Sequence, residues 1–169
     1  MRLSMDDVIY KYKENIFRAA LSISRNPQDA EDILQDTLLE YFQRDREFDS
    51  EEHIKAWLLR VAINKSKNIV LNFWHRNRVS LEEYMEEVPF QEPEDRKLAE
   101  AVLSLPKKYR IIIHLYYYED YSVREIGDVL NLTQSAVKNR LLRGRKMLKE
   151  MLKAPTRSEE RRVGKECRS

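Results

Sequence analysis

The sequence predicts an all-α protein made of two small helical domains joined by a flexible acidic linker, the second domain a helix-turn-helix. Three observations carry this. Apolar residues recur three to four positions apart in segment after segment. Charged residues make up 36% of the chain against only three glycines, which favours exposed helices over a sandwich or barrel. A stretch rich in acids and interrupted by Pro89 and Pro93 separates two such periodic regions. A length of 169 residues accommodates two helical cores. The divisions fall at residues 1–79, a linker at 80–95, a second domain at 96–153 and a tail at 154–169.

Ile9, Tyr12, Ile16, Ala19 and Ile23 mark the apolar stripe of a first helix. Asn26-Pro27 ends it and starts the next: Asn26 suits the N-cap, Pro27 the first turn, and Asp29 the positive helix end. Ala30, Ile33, Leu34, Thr37, Leu38 and Tyr41 form the buried face of the second helix, whose other face is acidic. After the polar stretch Gln43 to Ser50, the stripe resumes at Ile54, Trp57, Leu58, Val61 and Ala62 in a third helix expected to reach about Arg78. A short helix is expected near Leu81 to Met85, within the linker. Leu98, Ala101, Val102 and Leu105 then form a helix that Pro106 ends, and Ile111, Ile112 and Leu115 begin another.

Ser122-Val123-Arg124-Glu125 is a capping box: the serine accepts from the third helical amide and the glutamate reaches back to the serine amide. Ile126, Val129 and Leu130 supply the buried side of that short helix. Asn131-Leu132 turns the chain, and Thr133 caps a second helix expected to run through Met151. Two helices across so short a turn make a helix-turn-helix. The second contains Lys138, Arg140, Arg143, Arg145, Lys146, Lys149 and Lys153 against one acid, Glu150. A helix so charged fits the major groove, with its early side chains on base edges and later cations on phosphates.

Net charge conceals this asymmetry. Five arginines and lysines against three glutamates in the tail account for the whole +2, so the remainder is neutral. Its distribution is not: Asp29 to Glu52 holds ten acids and two arginines, whereas Ile54 to Arg78 holds six cations and no acid. The tail lacks an apolar period and reads as disordered or artificially appended.

Several function classes lose support on the same reading. One cysteine, Cys167, allows no disulfide framework or thiolate metal site. No apolar run suggests stable membrane insertion, so a cytoplasmic protein is expected. His53, His75 and His114 are scattered, and no phosphate-binding glycine loop or metal-ligand spacing occurs, so no catalytic site, cofactor or metal is expected.

Asp29-Ala30-Glu31-Asp32-Ile33-Leu34-Gln35-Asp36-Thr37, then Trp57-Leu58-Leu59-Arg60-Val61-Ala62-Ile63-Asn64, then Leu105-Pro106 ahead of Tyr121-Ser122-Val123-Arg124-Glu125-Ile126-Gly127, resemble the extracytoplasmic-function (ECF) group of bacterial sigma factors. The resemblance spans residues 5–152 in order and implies a protein that recruits core RNA polymerase to promoter DNA and initiates transcription. It implies that the second helix docks on the β′ clamp helices through Asp32, Gln35, Asp36 and Glu40. It places −10 element contacts at Phe48, Arg60, Asn64, Lys67 and Arg78, with Phe48 and Asn64 holding a base flipped from the strand. Trp74 and Phe73 are further candidates for stacking on unpaired bases. The −35 element falls to Thr133, Gln134, Ser135, Lys138, Asn139, Arg140, Leu142, Arg143 and Arg145, and the β flap to nearby surfaces. An anti-sigma factor is an implied partner.

Two departures stand out. The common loop pattern carries Phe-Arg-Gly where this chain has Phe48-Asp49-Ser50, and Lys138 stands where arginine is frequent, lacking the planar bidentate fork. The alternative reading is a conventional helix-turn-helix regulator with a helical sensing or dimerisation domain, which would need a palindromic site and a two-fold interface.

Overall fold

The computed structural model describes residues 1–69 and 81–153, and within them every regular element is helical. The order is α1 (Met5–Ser24), α2 (Pro27–Gln43), α3 (Glu51–Ile69), α4 (Leu81–Glu87), α5 (Pro93–Ser104), α6 (Lys107–Ile113), a π-helical turn (His114–Tyr118), α7 (Val123–Leu130) and α8 (Gln134–Lys153). Local chemistry sets most of these boundaries. Ser4 caps α1 through the Asp7 amide at 3.2 Å, and Arg25 closes it in the left-handed region at φ 54°. Asn26 Oδ1 accepts from the Asp29 amide at 3.0 Å, as its position before Pro27 predicts.

Helices α1 to α3 enclose one apolar cluster that includes Val8, Ile16, Ala20, Ile33, Leu34, Ile54, Leu58 and Ala62. The stripe expected along α1 divides. Ile16 enters this cluster, whereas Ala19 and Ile23 join a second one with Leu59 and Ile63 of α3 and Ile112, Leu115 and Ile126 of the C-terminal half. Ile9 stays largely exposed. Helices α1 and α3 thus each carry two apolar strips, and the second strip docks the C-terminal lobe, α1 against α6 and α3 against α7.

The region expected as a linker contributes more packing than its composition suggests. Met85 on α4 is buried, Leu81 packs on the first cluster, and the Tyr84 ring lies 6.1 Å from that of Phe17. Helix α5 begins at Pro93, inside the expected linker, where proline suits a first turn. Three apolar residues among many acids are too few to display a period. The expected continuation of α3 to Arg78, together with Phe73, Trp74, His75 and the tail 154–169, lies outside the described residues.

Candidate nucleic-acid and polymerase interfaces

The helix-turn-helix forms as its caps dictate. The Glu125 amide donates to Ser122 Oγ and the Ser122 amide to Glu125 Oε1, both at 3.1 Å. Asn131 turns the chain at φ 57°, and the Ala136 amide donates to Thr133 Oγ1 at 3.1 Å. Gly127 is required by the close approach of the turn, because a Cβ there would stand 2.7 Å from the Leu132 carbonyl oxygen. This turn fixes the roll of α8. Val137, Leu141, Gly144 and Leu148 face inward, while Gln134, Ser135, Lys138, Asn139, Leu142 and Arg143 face solvent. Leu142 is 67% exposed, an apolar side chain among polar neighbours on this face.

Three of the nine residues expected at the −35 element have side-chain neighbours within the protein, Arg143 donating to the Tyr109 hydroxyl. Arg145 donates to Tyr117 Oη at 2.5 Å and stacks over the rings of Tyr116 and Tyr117. Arg140 is half-buried and lines a cleft together with Lys67 of α3. Arg143 and the remaining polar and apolar positions form the outward face, with Thr133 at its N-terminal edge as the cap.

The expected −10 residues, on α3 and in the loop before it, separate. Phe48 is buried, 7% exposed, in an aromatic cluster with Tyr41 at 6.0 Å and Trp57 at 5.8 Å between ring centroids. Its amide donates to the Met1 carbonyl at 2.9 Å, which ties the loop to the N-terminus. One edge of Phe48 nevertheless borders a pocket of about 210 Å³ shared with Arg46, His53, Trp57 and Arg60. Asn64 is exposed one turn beyond Arg60 and does not line that pocket. Arg60 donates through Nη2 to the Asp128 carbonyl of α7 at 2.8 Å. Arg78 lies outside the described residues.

The acidic face of α2 is open at Asp32, Gln35 and Asp36, whereas Glu40 is paired with Arg44 at 2.9 Å and Lys65 at 3.1 Å. Beside these lie Leu39 and Phe42, 51% and 64% exposed, which sequence reasoning did not single out. Their signal was available: both fall off the buried stripe of an otherwise polar face. Leu39 and Phe42, three residues apart, thus form a small exposed apolar patch on this acidic face.

Two buried charges between the lobes were also missed. Arg110 is 4% exposed, and its guanidinium donates to the carbonyls of Ser22, Ile23 (3.1 Å), Leu105 (2.9 Å) and Leu103 (3.4 Å). These carbonyls belong to the C-terminal ends of α1 and α5, where backbone acceptors lack intrahelical donors and a cation opposes the negative dipole end. Burial, with the charge of Arg25 adding to it, pushes the Arg110 pKa down to about 10, leaving a cation at neutral pH. Glu119, 5% exposed, accepts from Asn15 Nδ2 at 2.8 Å and pairs with Lys55 Nζ at 3.1 Å, with His114 Nε2 3.6 Å from its other oxygen. Burial alone would raise its pKa. The contacts from His114, Asn15 and Lys55 outweigh that and hold the carboxyl below the usual carboxylate range.

No group of three or more potential metal-ligating side chains occurs among the described residues, and no described helix is long and apolar enough to cross a membrane.

Comparison with known proteins agrees with this geometry. Residues 8–78 match the family model for Sigma-70 region 2, and residues 95–148 that for Sigma-70, region 4. The ECF RNA polymerase sigma factor SigW of Bacillus subtilis is 29% identical over 164 residues, spanning 87% of this chain and 88% of that protein. SigM of the same organism is 25% identical over 158 residues, spanning 88% and 95%. Among solved structures, the sigma factor RpoE of Bartonella quintana, in complex with the anti-sigma factor NepR, superposes with a TM-score of 0.72 at 21% identity, over 88% of this chain and 96% of that one. CnrH, in complex with the cytosolic domain of CnrY, superposes with a TM-score of 0.62 at 23% identity, over 88% and 86%. With both family models matched in order on a two-lobed helical frame and the helix-turn-helix face open, the chain belongs to the extracytoplasmic-function group of RNA polymerase sigma factors.

Proposed function

We propose that this sigma factor recruits core polymerase through α2, places the outward face of α8 on the −35 element and captures the melted −10 strand along α3. The observation that carries the reading is the fixed roll of α8: the capped turn holds Gln134, Ser135, Lys138, Asn139, Leu142 and Arg143 outward on a rigid helix. In this reading Asp32, Gln35 and Asp36 of α2, with Leu39 and Phe42, bind the β′ clamp helices, and surfaces near α8 meet the β flap. Asn64 and Lys67 hold strand backbone and base, and the pocket bordered by Phe48 and Arg60 takes the unpaired base. Favourable capture of that base drives melting without catalytic chemistry.

The docked lobes do not suit simultaneous promoter contact. Elements centred about 25 base pairs apart are separated by about 85 Å of duplex, whereas a compact chain of this length has a radius of gyration of about 15 Å. The described arrangement is therefore the closed form, in which the Arg60 bond to Asp128 and the Lys55 bond to Glu119 hold the lobes together. On polymerase the lobes separate between α4, which packs on the N-terminal cluster, and α5. An anti-sigma factor is the natural ligand of the closed form, and the exposed apolar groove of Leu98, Tyr117, Tyr118 and Leu152 offers it a surface.

Reconstituted transcription tests the proposal. Purified chain added to core polymerase of its source bacterium yields promoter-dependent transcripts from a genomic template library. Asp36→Ala combined with Leu39→Ala abolishes polymerase binding, and Lys138→Ala weakens promoter binding while lowering the salt dependence by about one phosphate contact. Absence of any promoter-dependent transcript defeats the proposal.

A further inference from the structure

The unpaired cations near the lobe junction gather in one place. Lys55, Arg60 and Lys65 of α3 each have a protein partner, in Glu119, the Asp128 carbonyl and Glu40 respectively. Lys67, two residues on, has no carboxylate partner among the described residues, and it lines a cleft of about 430 Å³ with Lys107 and Lys108 of α6 and Arg140 of α8. None of these four cations forms an ion pair among the described residues, although Lys108 Nζ lies 5.0 Å from the centre of the Tyr109 ring. The rest of its lining is apolar and includes Ile23, Pro106, Ile111, Leu130 and Leu132. Burial lowers the pKa of Lys107, and the charges of Lys67 and Arg110 lower it further, which shows that these cations lie within reach of one another.

Promoter contacts do not account for this convergence. Lys67 and Arg140 belong to helices assigned to elements about 85 Å apart along the duplex, yet here they border one small concavity. Its volume lies in the range of small-molecule sites and is too confined for a duplex. A surface that combines phosphate-binding cations with an aliphatic lining suits a ligand that is itself divided in that way.

We propose that this cleft is a binding site for a small nucleoside polyphosphate, its phosphates held by Lys67, Lys107, Lys108 and Arg140 and its base laid on the aliphatic lining. The ligand bridges α3 to α6 and α8, so it stabilises the closed form and competes with promoter DNA for Lys67. Nucleotide supply would thereby tune how much of the sigma factor is open.

The test is calorimetric titration of the full chain at physiological salt with ATP, GTP, sodium tripolyphosphate and a thymidine oligonucleotide. It is repeated for Lys107→Gln/Lys108→Gln and for Lys149→Gln/Lys153→Gln, which removes equal charge from the far end of α8. Far-UV circular dichroism confirms that both variants fold. The proposal expects saturable binding of one nucleotide per chain, weaker by about tenfold or more in the first variant and unchanged in the second. Tripolyphosphate, lacking a base, binds about tenfold more weakly than the nucleotide. Equal losses in both variants, equal affinity for tripolyphosphate, or no saturable nucleotide binding each overturn it. So does a result in which only a thymidine oligonucleotide binds and loses affinity in the first variant, since the cleft would then hold strand backbone.

Discussion

Replacing Arg110 by methionine removes a side chain that satisfies the ends of two helices at once. Its guanidinium donates to carbonyls at the C-termini of α1 and α5, and methionine fills comparable space without a donor. Each carbonyl left buried and unpaired costs about 1–3 kcal/mol. Part of that is returned because a cation no longer has to be taken out of water. The net expectation for Arg110→Met is a loss of about 2–4 kcal/mol. Arg110→Lys keeps the charge but cannot fork between two helix ends, so an intermediate loss is expected. Urea unfolding followed by circular dichroism gives both values from midpoint and slope. A loss under about 1 kcal/mol for Arg110→Met refutes the reasoning, because it means water reaches those carbonyls as readily as the guanidinium does.

Glu119 makes stability pH-dependent with a definite sign. Its folded pKa is depressed, so its contribution is complete above the ordinary carboxylate pKa and is lost as pH falls through the folded value. The urea midpoint of wild type should therefore exceed that of Glu119→Gln at pH 7, and the gap should narrow on acidification below about pH 4. A gap independent of pH contradicts an ionised Glu119. Gly127→Ala should destabilise the C-terminal lobe by about 1–3 kcal/mol, because the new methyl collides with the Leu132 carbonyl oxygen rather than with a movable side chain. Its promoter affinity should fall with the loss of α8 alignment, measured by binding of the polymerase complex to a promoter fragment. Wild-type stability and affinity in this variant would show that the turn relaxes freely.

Residues close in sequence proved the most legible. Asn26, Ser122, Glu125 and Thr133 could be assigned as caps because a cap and its amide lie three residues apart, so the chemistry is written in one short string. The outward face of α8 follows from the same local logic, since helical period alone separates Lys138 and Leu142 from Val137 and Leu141. The apolar period likewise set the all-α class and most helix positions.

Tertiary structure decided what depends on partners far along the chain. Arg110 meets Ile23 across 87 residues, and Asn15 meets Glu119 across 104, distances at which no periodic pattern carries information. An arginine beside an isoleucine run and a glutamate in a turn look solvated until two helix ends and a lysine close over them. The same holds for Phe48, whose burial required Tyr41 and Trp57 from two other segments, and for Ala19 and Ile23, which the α1 stripe could not assign to a second core. The sequence by itself determined which helices form and which face of α8 is free. Only the docking of the lobes decided which charges are buried, because burial depends on what the rest of the chain brings to a residue.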